Sequence, residues 1–336
     1  VSAADRNREP GPSVKLTTAT VPSVKPSEIL NRMVQAYRSA TSYADAGQLR
    51  ITIEREGQAA PDPEPLNASV TFVRPNQTRV QWLDAMLVAD GKKLHASVGS
   101  VPDQVLEMDA PPKLAIGNLF LGDAFYDSLA QGVAGFPIQL ALLLDPEPLA
   151  AVVPEGSLTS ALPPIDFDGH ACHRLKIDTS YGPRVYWIDA ESYVLRLVEL
   201  PSEGLRQQIV SAQGPVKRVA VTLELLGARL NAPVPDKAFQ FESPAGAKIV
   251  KQLIRPPHEV SKLLGKQIPE FKFAGINGPA VSKQTAAGKV TAVEFWFTGC
   301  GPCQVAFPQL AKVFEKYKSS DRVTFVGVSV DEPQVD

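Results

Sequence analysis

Cysteine is scarce, with three in 336 residues, too few to staple a small secreted scaffold together. Neither sign of charge dominates. Lys and Arg number 34 against 36 Asp and Glu, and the net charge of -2 gives no reason to expect nucleic acid or an anionic membrane surface as partner. No apolar run reaches the roughly 18 residues of a transmembrane helix, so no transmembrane segment is expected in this chain. The charged, apolar and small-residue pattern of a secretion signal is missing after Val1; a signal or anchor is expected to have preceded it. What is present is ordinary for a globular protein: 44% apolar and 21% charged residues, in a chain long enough for two cores. Thirty prolines exceed the usual share of about 5% and favour sheet edges, turns and linkers over long helices.

One stretch, TAVEFWFTGCGPCQVAFPQLAKVFEKYK at 291–318, specifies a reaction. An apolar, aromatic run at 293–297 predicts a strand that ends at Gly299, just before Cys300, Gly301, Pro302 and Cys303. Phe307, Leu310, Val313, Phe314 and Tyr317 recur at three- and four-residue steps and predict a helix with one buried stripe. Cys300 then falls where unpaired N–H groups and the positive end of the helix dipole favour thiolate over thiol. Cys303, one turn on, can resolve a mixed disulfide formed on Cys300. Reversible dithiol–disulfide exchange is the chemistry of this spacing; an inert structural disulfide is the plainer alternative. A zinc site would need two more ligands at comparable spacing, and none follows. No metal or cofactor is expected beyond a redox-active Cys300–Cys303 disulfide.

At these residues the sequence resembles the thioredoxin superfamily, whose motif Cys-Gly-Pro-Cys matches letter for letter; IPEFKFAGINGPAVSKQTAAGKV before it is similar to the entry of the TlpA-like, extracytoplasmic branch. The resemblance implies that Glu294 is the family's buried acidic residue, managing protons for the pair, and that Pro308 kinks the helix. It covers about the last fifth of the chain. Gly299 stands where thioredoxins usually carry tryptophan, and Ala306 where many TlpA-like proteins keep a glutamate. The later strands, last helix and cis-proline loop of the family do not follow VTFVGVSVD, and Pro333 comes too early to be that proline. The chain is therefore expected to be a piece of a longer oxidoreductase.

Upstream, residues 1–24 mix Ser, Thr, Pro and charge without a period and read as a flexible leader. Ser27 reads as an N-cap, and Ile29, Leu30, Met33, Val34, Tyr37 and Ala40 follow helical spacing. Alternation with period two then predicts strands at 48–54, 69–74, 78–83, 86–90, 93–98, 170–178, 184–189, 193–200 and 218–226, with a tight hairpin at Ala89-Asp90-Gly91-Lys92. Short turns between them predict an antiparallel meander. Residues 118–133 and 137–153 are apolar and helical in composition, and should lie on the open face of the sheet. His170, Cys172 and His173 invite a metal reading, but 170 and 172 share a strand face that 173 does not. A buried thiol with partly exposed histidines is expected instead. Residues 251–268, with Pro256, Pro257 and Gly265, read as the linker between domains.

This layout resembles the LolA-like half-barrels that carry or sense lipids and lipoproteins outside the cytoplasm. The resemblance rests on SEILNRMVQAYRSATSY, on CHRLKI followed by VYWIDAESYVLRLVE, and on the closing FQFESPAGAKIV. The expected fold is α+β with two domains. An antiparallel LolA-like half-barrel with helices occupies 25–250, and a partial α/β thioredoxin-like fold occupies 269–336. Trp82, Trp187 and Leu142 are candidate lining for an apolar ligand, lipid or lipoprotein, although the same residues would equally fill a core. The expected function is thiol–disulfide oxidoreduction on protein thiols and disulfides, in the periplasm or another extracytoplasmic space. The alternative is a lipid- or lipoprotein-binding protein whose redox part is accessory or inactive.

Overall fold

The computed structural model describes residues 17–55, 63–119, 121–130, 134–179, 182–255, 263, 265–275, 278–297 and 301–331. By its internal contacts the chain divides into two units, Val1–Arg255 and Pro256–Asp336.

The first unit is built on one thirteen-stranded sheet. Its elements run β1 (Thr17–Thr18), α1 (Pro26–Ser39), β2 (Ser42–Glu54), β3 (Leu66–Val73), β4 (Gln77–Trp82), β5 (Ala85–Asp90), β6 (Lys93–Val98) and β7 (Gln104–Asp109). Three helices follow, α2 (Asp123–Ala130), α3 (Ile138–Leu144) and α4 (Pro148–Val152). Then come β8 (Leu158–Phe167), β9 (His170–Thr179), β10 (Gly182–Asp189), β11 (Leu195–Leu200), α5 (Glu203–Gln213), β12 (Arg218–Leu230) and β13 (Lys248–Val250). The strand order is β1-β8-β9-β10-β11-β12-β2-β3-β4-β5-β6-β7-β13. Neighbours are antiparallel up to β7, where β13 joins in parallel. β2 is the hinge of the order, because it pairs with β3 next in sequence and with β12 from the far end of the unit.

The meander and the opening helix follow from the alternation and stripe in the sequence. Ile29, Leu30, Met33 and Tyr37 of α1 are buried against the inner sheet face in one core with Phe72, Trp82, Leu94, Phe125 and Leu142. Burial of such side chains stabilises by about 1.5–3 kcal/mol each. The cap differs from expectation: Lys25 precedes the helix and Pro26 opens it, so the fixed φ of proline starts α1 where Ser27 was expected to. Thr17–Thr18, inside the stretch read as leader, pairs with Asp166 and Ile165 of β8. The linker reading also changes, since Leu253 is buried in the core of the first unit. Residues 1–16 of the leader and 256–262 and 264 of the linker lie outside the described residues.

β7, β8 and α5 were not expected. In β8 the pair Pro163-Pro164 sits in a register shift between Leu162 and Ile165, which is how a strand accommodates residues that cannot donate to a ladder. α5 lays Ile209 and Leu205 over Val219 of β12 and Ile53 of β2, a cluster separate from the main core.

Two polar devices fix the helices to the sheet. The Arg74 guanidinium donates to Ala40 O at 2.7 Å and Arg38 O at 3.2 Å, at the end of α1, and to Leu143 O at 3.0 Å, near the end of α3. It thus serves carbonyls that two helix C-termini leave unpaired. Asp45 fills a break in the β2–β3 ladder between the pairs Ala44–Thr71 and Gln48–Asn67. Its Oδ1 accepts from Val70 N at 2.8 Å and Gly47 N at 3.0 Å, and its Oδ2 from Tyr43 OH at 2.5 Å and Gln139 Nε2 at 3.1 Å. The strands approach so closely there that a Cβ on Gly47 would lie 2.3 Å from Ala68 O.

Candidate functional site

The second unit contains β14 (Lys272–Phe273), β15 (Val281–Ser282), α6 (Lys283–Ala286), β16 (Val290–Trp296), α7 (Gly301–Tyr317) and β17 (Val323–Ser329). β16 and β17 pair in parallel, from Val290–Val323 to Trp296–Ser329, and α7 is the crossover between them. Trp296 meets Phe307 of α7 edge-on at 6.0 Å, and Phe325 of β17 meets Phe314 at 5.6 Å. Glu294, two residues before Trp296 in the strand, therefore shares the face turned to α7 and is half-buried there. Its register partner in β17 is Gly327.

Cys303 lies in the first turn of α7, only 8% exposed, and is disulfide-bonded. Gly301 and Pro302 open the helix. Cys300 and Gly299, like Pro333, lie outside the described residues. The stripe on α7 corrects the sequence reading. Phe307, Val313, Phe314 and Tyr317 were expected to be buried and are 39–46% exposed, because a two-stranded sheet covers only part of the helix. On the other face of β16, Phe295 is 58% exposed and touches Phe273 of β14 at 6.1 Å.

The three residues singled out as apolar lining separate. Trp82 and Leu142 are fully buried in the main core, and Trp82 Nε1 donates to Gly135 O at 3.2 Å. Trp187 belongs to a different cluster with Phe167, Cys172, Val185 and Leu197. Alternation along β10 explains this: Tyr186 and Ile188 point into the main core, so Trp187 points away from it. There its Nε1 donates to Glu199 at 2.8 Å while the Arg174 guanidinium lies 4.7 Å over its ring.

Cys172 is a fully buried free thiol, and burial pushes its pKa up to about 12. His170 is half-exposed, its Nδ1 2.7 Å from Asp189 Oδ2, which Arg196 also holds at 2.9 Å. His173 departs from expectation. It is 5% exposed, stacks on Tyr193 at 6.4 Å, and leaves Nε2 buried without a hydrogen-bond partner. Among the described residues no group of three or more His, Cys, Asp or Glu could hold a metal ion.

Two outcomes follow. Thiol titration should find no fast-reacting thiol in the native, unreduced protein and one on unfolding without reductant; reduction before unfolding should give three. A second thiol without reductant would contradict the disulfide on Cys303. For His173, burial depresses the folded pKa below the ordinary value, so below about pH 6.5 the unfolded ring binds a proton that the folded ring refuses. Stability is full above that pH and falls as pH drops through it. His173→Phe should flatten the difference between urea melts at pH 7.5 and pH 5.5, and an unchanged difference would assign the slope elsewhere.

A parallel strand, a helix whose first turn carries a disulfide-bonded cysteine, and a second parallel strand make the second unit redoxin-like. Residues 264–335 match the AhpC/TSA family. Among curated proteins the chain is similar to the thioredoxin-like protein YneN of Bacillus subtilis (strain 168), 34% identical over 71 residues. It is also similar to the thiol-disulfide oxidoreductase ResA of Bacillus cereus, 28% identical over 72 residues. Each match covers 21% of this chain and 41% of the relative, so the chain spans about two fifths of the length of these proteins. A LolA superfamily protein, NE2245 from Nitrosomonas europaea, aligns with 65% of this chain and 99% of its own, at 12% identity and a TM-score of 0.25. No helix among the described residues is long and apolar enough to cross a membrane.

Proposed function

We propose that this chain is a thiol–disulfide oxidoreductase that exchanges a Cys300–Cys303 dithiol with the disulfides of protein substrates. The observation that carries the reading is the disulfide-bonded Cys303 in the first turn of α7, inside the segment that matches the AhpC/TSA family. The proposal takes Cys300, three positions earlier in the Cys-Gly-Pro-Cys motif, as its partner.

In the reducing direction the Cys300 thiolate attacks a substrate S–S bond. A mixed disulfide forms, and the departing substrate sulfur takes a proton. Cys303 gives its proton to Glu294, on the strand face beneath the helix, and attacks Cys300 Sγ. The second substrate sulfur leaves and takes the proton that Glu294 received, so the substrate has gained two electrons and two protons, the first proton from solvent, and one disulfide remains on the protein. An external dithiol restores the starting state. Work outside the cytoplasm is part of the proposal and rests on the resemblance to the TlpA-like branch; fractionation of the native host would test it. Activity is tested by insulin reduction with dithiothreitol as electron source. Catalysis by the parent chain that drops to the uncatalysed rate in Cys300→Ser supports the reading, and equal rates in both would remove it.

A further inference from the structure

The chain leaves the first unit through a short fastening at the sheet edge. Lys248, Ile249 and Val250 of β13 pair with Gln104, Val105 and Leu106 of β7. The Gln104 side chain then imitates a further rung: its Nε2 donates to Ile254 O at 2.7 Å and its Oε1 accepts from Ile254 N at 2.9 Å. Arg255 meets Asp127 of α2 at 2.7 Å, and Pro256 begins the second unit.

The strand pairing and the ion pair are weak holds. The strand has three residues and is the parallel one in the sheet, a pairing slightly less stable per residue. The Arg255–Asp127 pair is 37% and 28% exposed, and such pairs contribute little. Of the large apolar side chains here Leu253 is buried and Val250 packs half-buried on the same core, while Lys251 Nζ donates to Glu107 O at 3.2 Å; Ile249 is 52% and Ile254 63% exposed. By contrast β4, β5 and β6 are paired on both sides.

We propose that residues 248–255 are a releasable clamp, which detaches as one piece while the rest of the sheet stays folded and so lengthens the chain between the two units. At roughly 3.3–3.6 Å per residue, the eight residues would add up to about 26–29 Å of contour. A lengthened tether widens the range of disulfides the thiols can reach, a consequence that rests on the function proposed above; the clamp itself does not.

Hydrogen exchange on the full chain tests it. The amides of Lys248 and Ile254 should exchange on the order of a hundredfold faster than the ladder amides of β4 and β5, by local opening. Gln104→Ala, which removes two hydrogen bonds, should speed them by about tenfold and leave β4 and β5 unchanged. Exchange of the clamp as slow as that of β4 and β5, or acceleration of all of them together in Gln104→Ala, would overturn the proposal. The same measurement on Cys300→Ser should give the parent pattern, so a failure of the dithiol chemistry and a failure of the clamp are read separately.

Discussion

Asp45→Ala is expected to destabilise the first unit by about 3–5 kcal/mol, lowering its melting temperature by roughly 10 °C. The carboxylate accepts four hydrogen bonds where the β2–β3 ladder is broken, and two of the donors, Tyr43 and Gln139, belong to fully buried side chains. Alanine removes the acceptor of Tyr43 OH, Val70 N and Gly47 N and leaves Gln139 Nε2 with Ala68 O alone, where the strands come too close to admit even a Cβ on Gly47. Asp45→Asn keeps one acceptor for Val70 and Gly47 but turns an amide toward Gln139 Nε2. It should cost about 1–2 kcal/mol. Calorimetry on the pair of variants decides the matter, and a loss under about 1 kcal/mol for alanine would show that the network is not what closes the gap.

The second large effect concerns the thiols. Cys303→Ser should accumulate a covalent adduct between Cys300 and a disulfide-bearing protein, because the first exchange can proceed and the resolving sulfur is gone. The adduct should appear on a non-reducing gel, vanish with dithiothreitol and be absent from the double variant Cys300→Ser/Cys303→Ser. Turnover with insulin should fall to background. Adduct formation in the double variant would transfer the role to Cys172, against its full burial and raised pKa.

What the sequence disclosed depended on how local the cause was. The stripe on α1 and the alternation in β3 to β6 are local, and they predicted those elements closely. The Cys-Gly-Pro-Cys spacing could be singled out for the same reason, and Glu294 only through the resemblance to a family; what these residues do belongs to the proposal. β8 was hidden because its proline pair reads as a breaker until the register shift beside it is known. Asp45 was hidden because its meaning depends on Gln139, 94 positions away. Trp187 was grouped with Trp82 and Leu142 by character, yet the pleat sends it to the opposite face. The stripe on α7 shows the limit of periodicity, which tells which side chains align and not what covers them.

The place of β2 has a consequence in time. Gln48 in β2 and Glu224 in β12 lie side by side although 176 positions separate them. At about 5–20 residues per second of synthesis, roughly 9–35 s pass between the ribosome's making one and the other. Throughout that interval the longest strand of the nascent chain has a partner on one flank alone, and whatever shields the other flank, a chaperone or a transient non-native pairing, governs how much chain survives to complete the sheet.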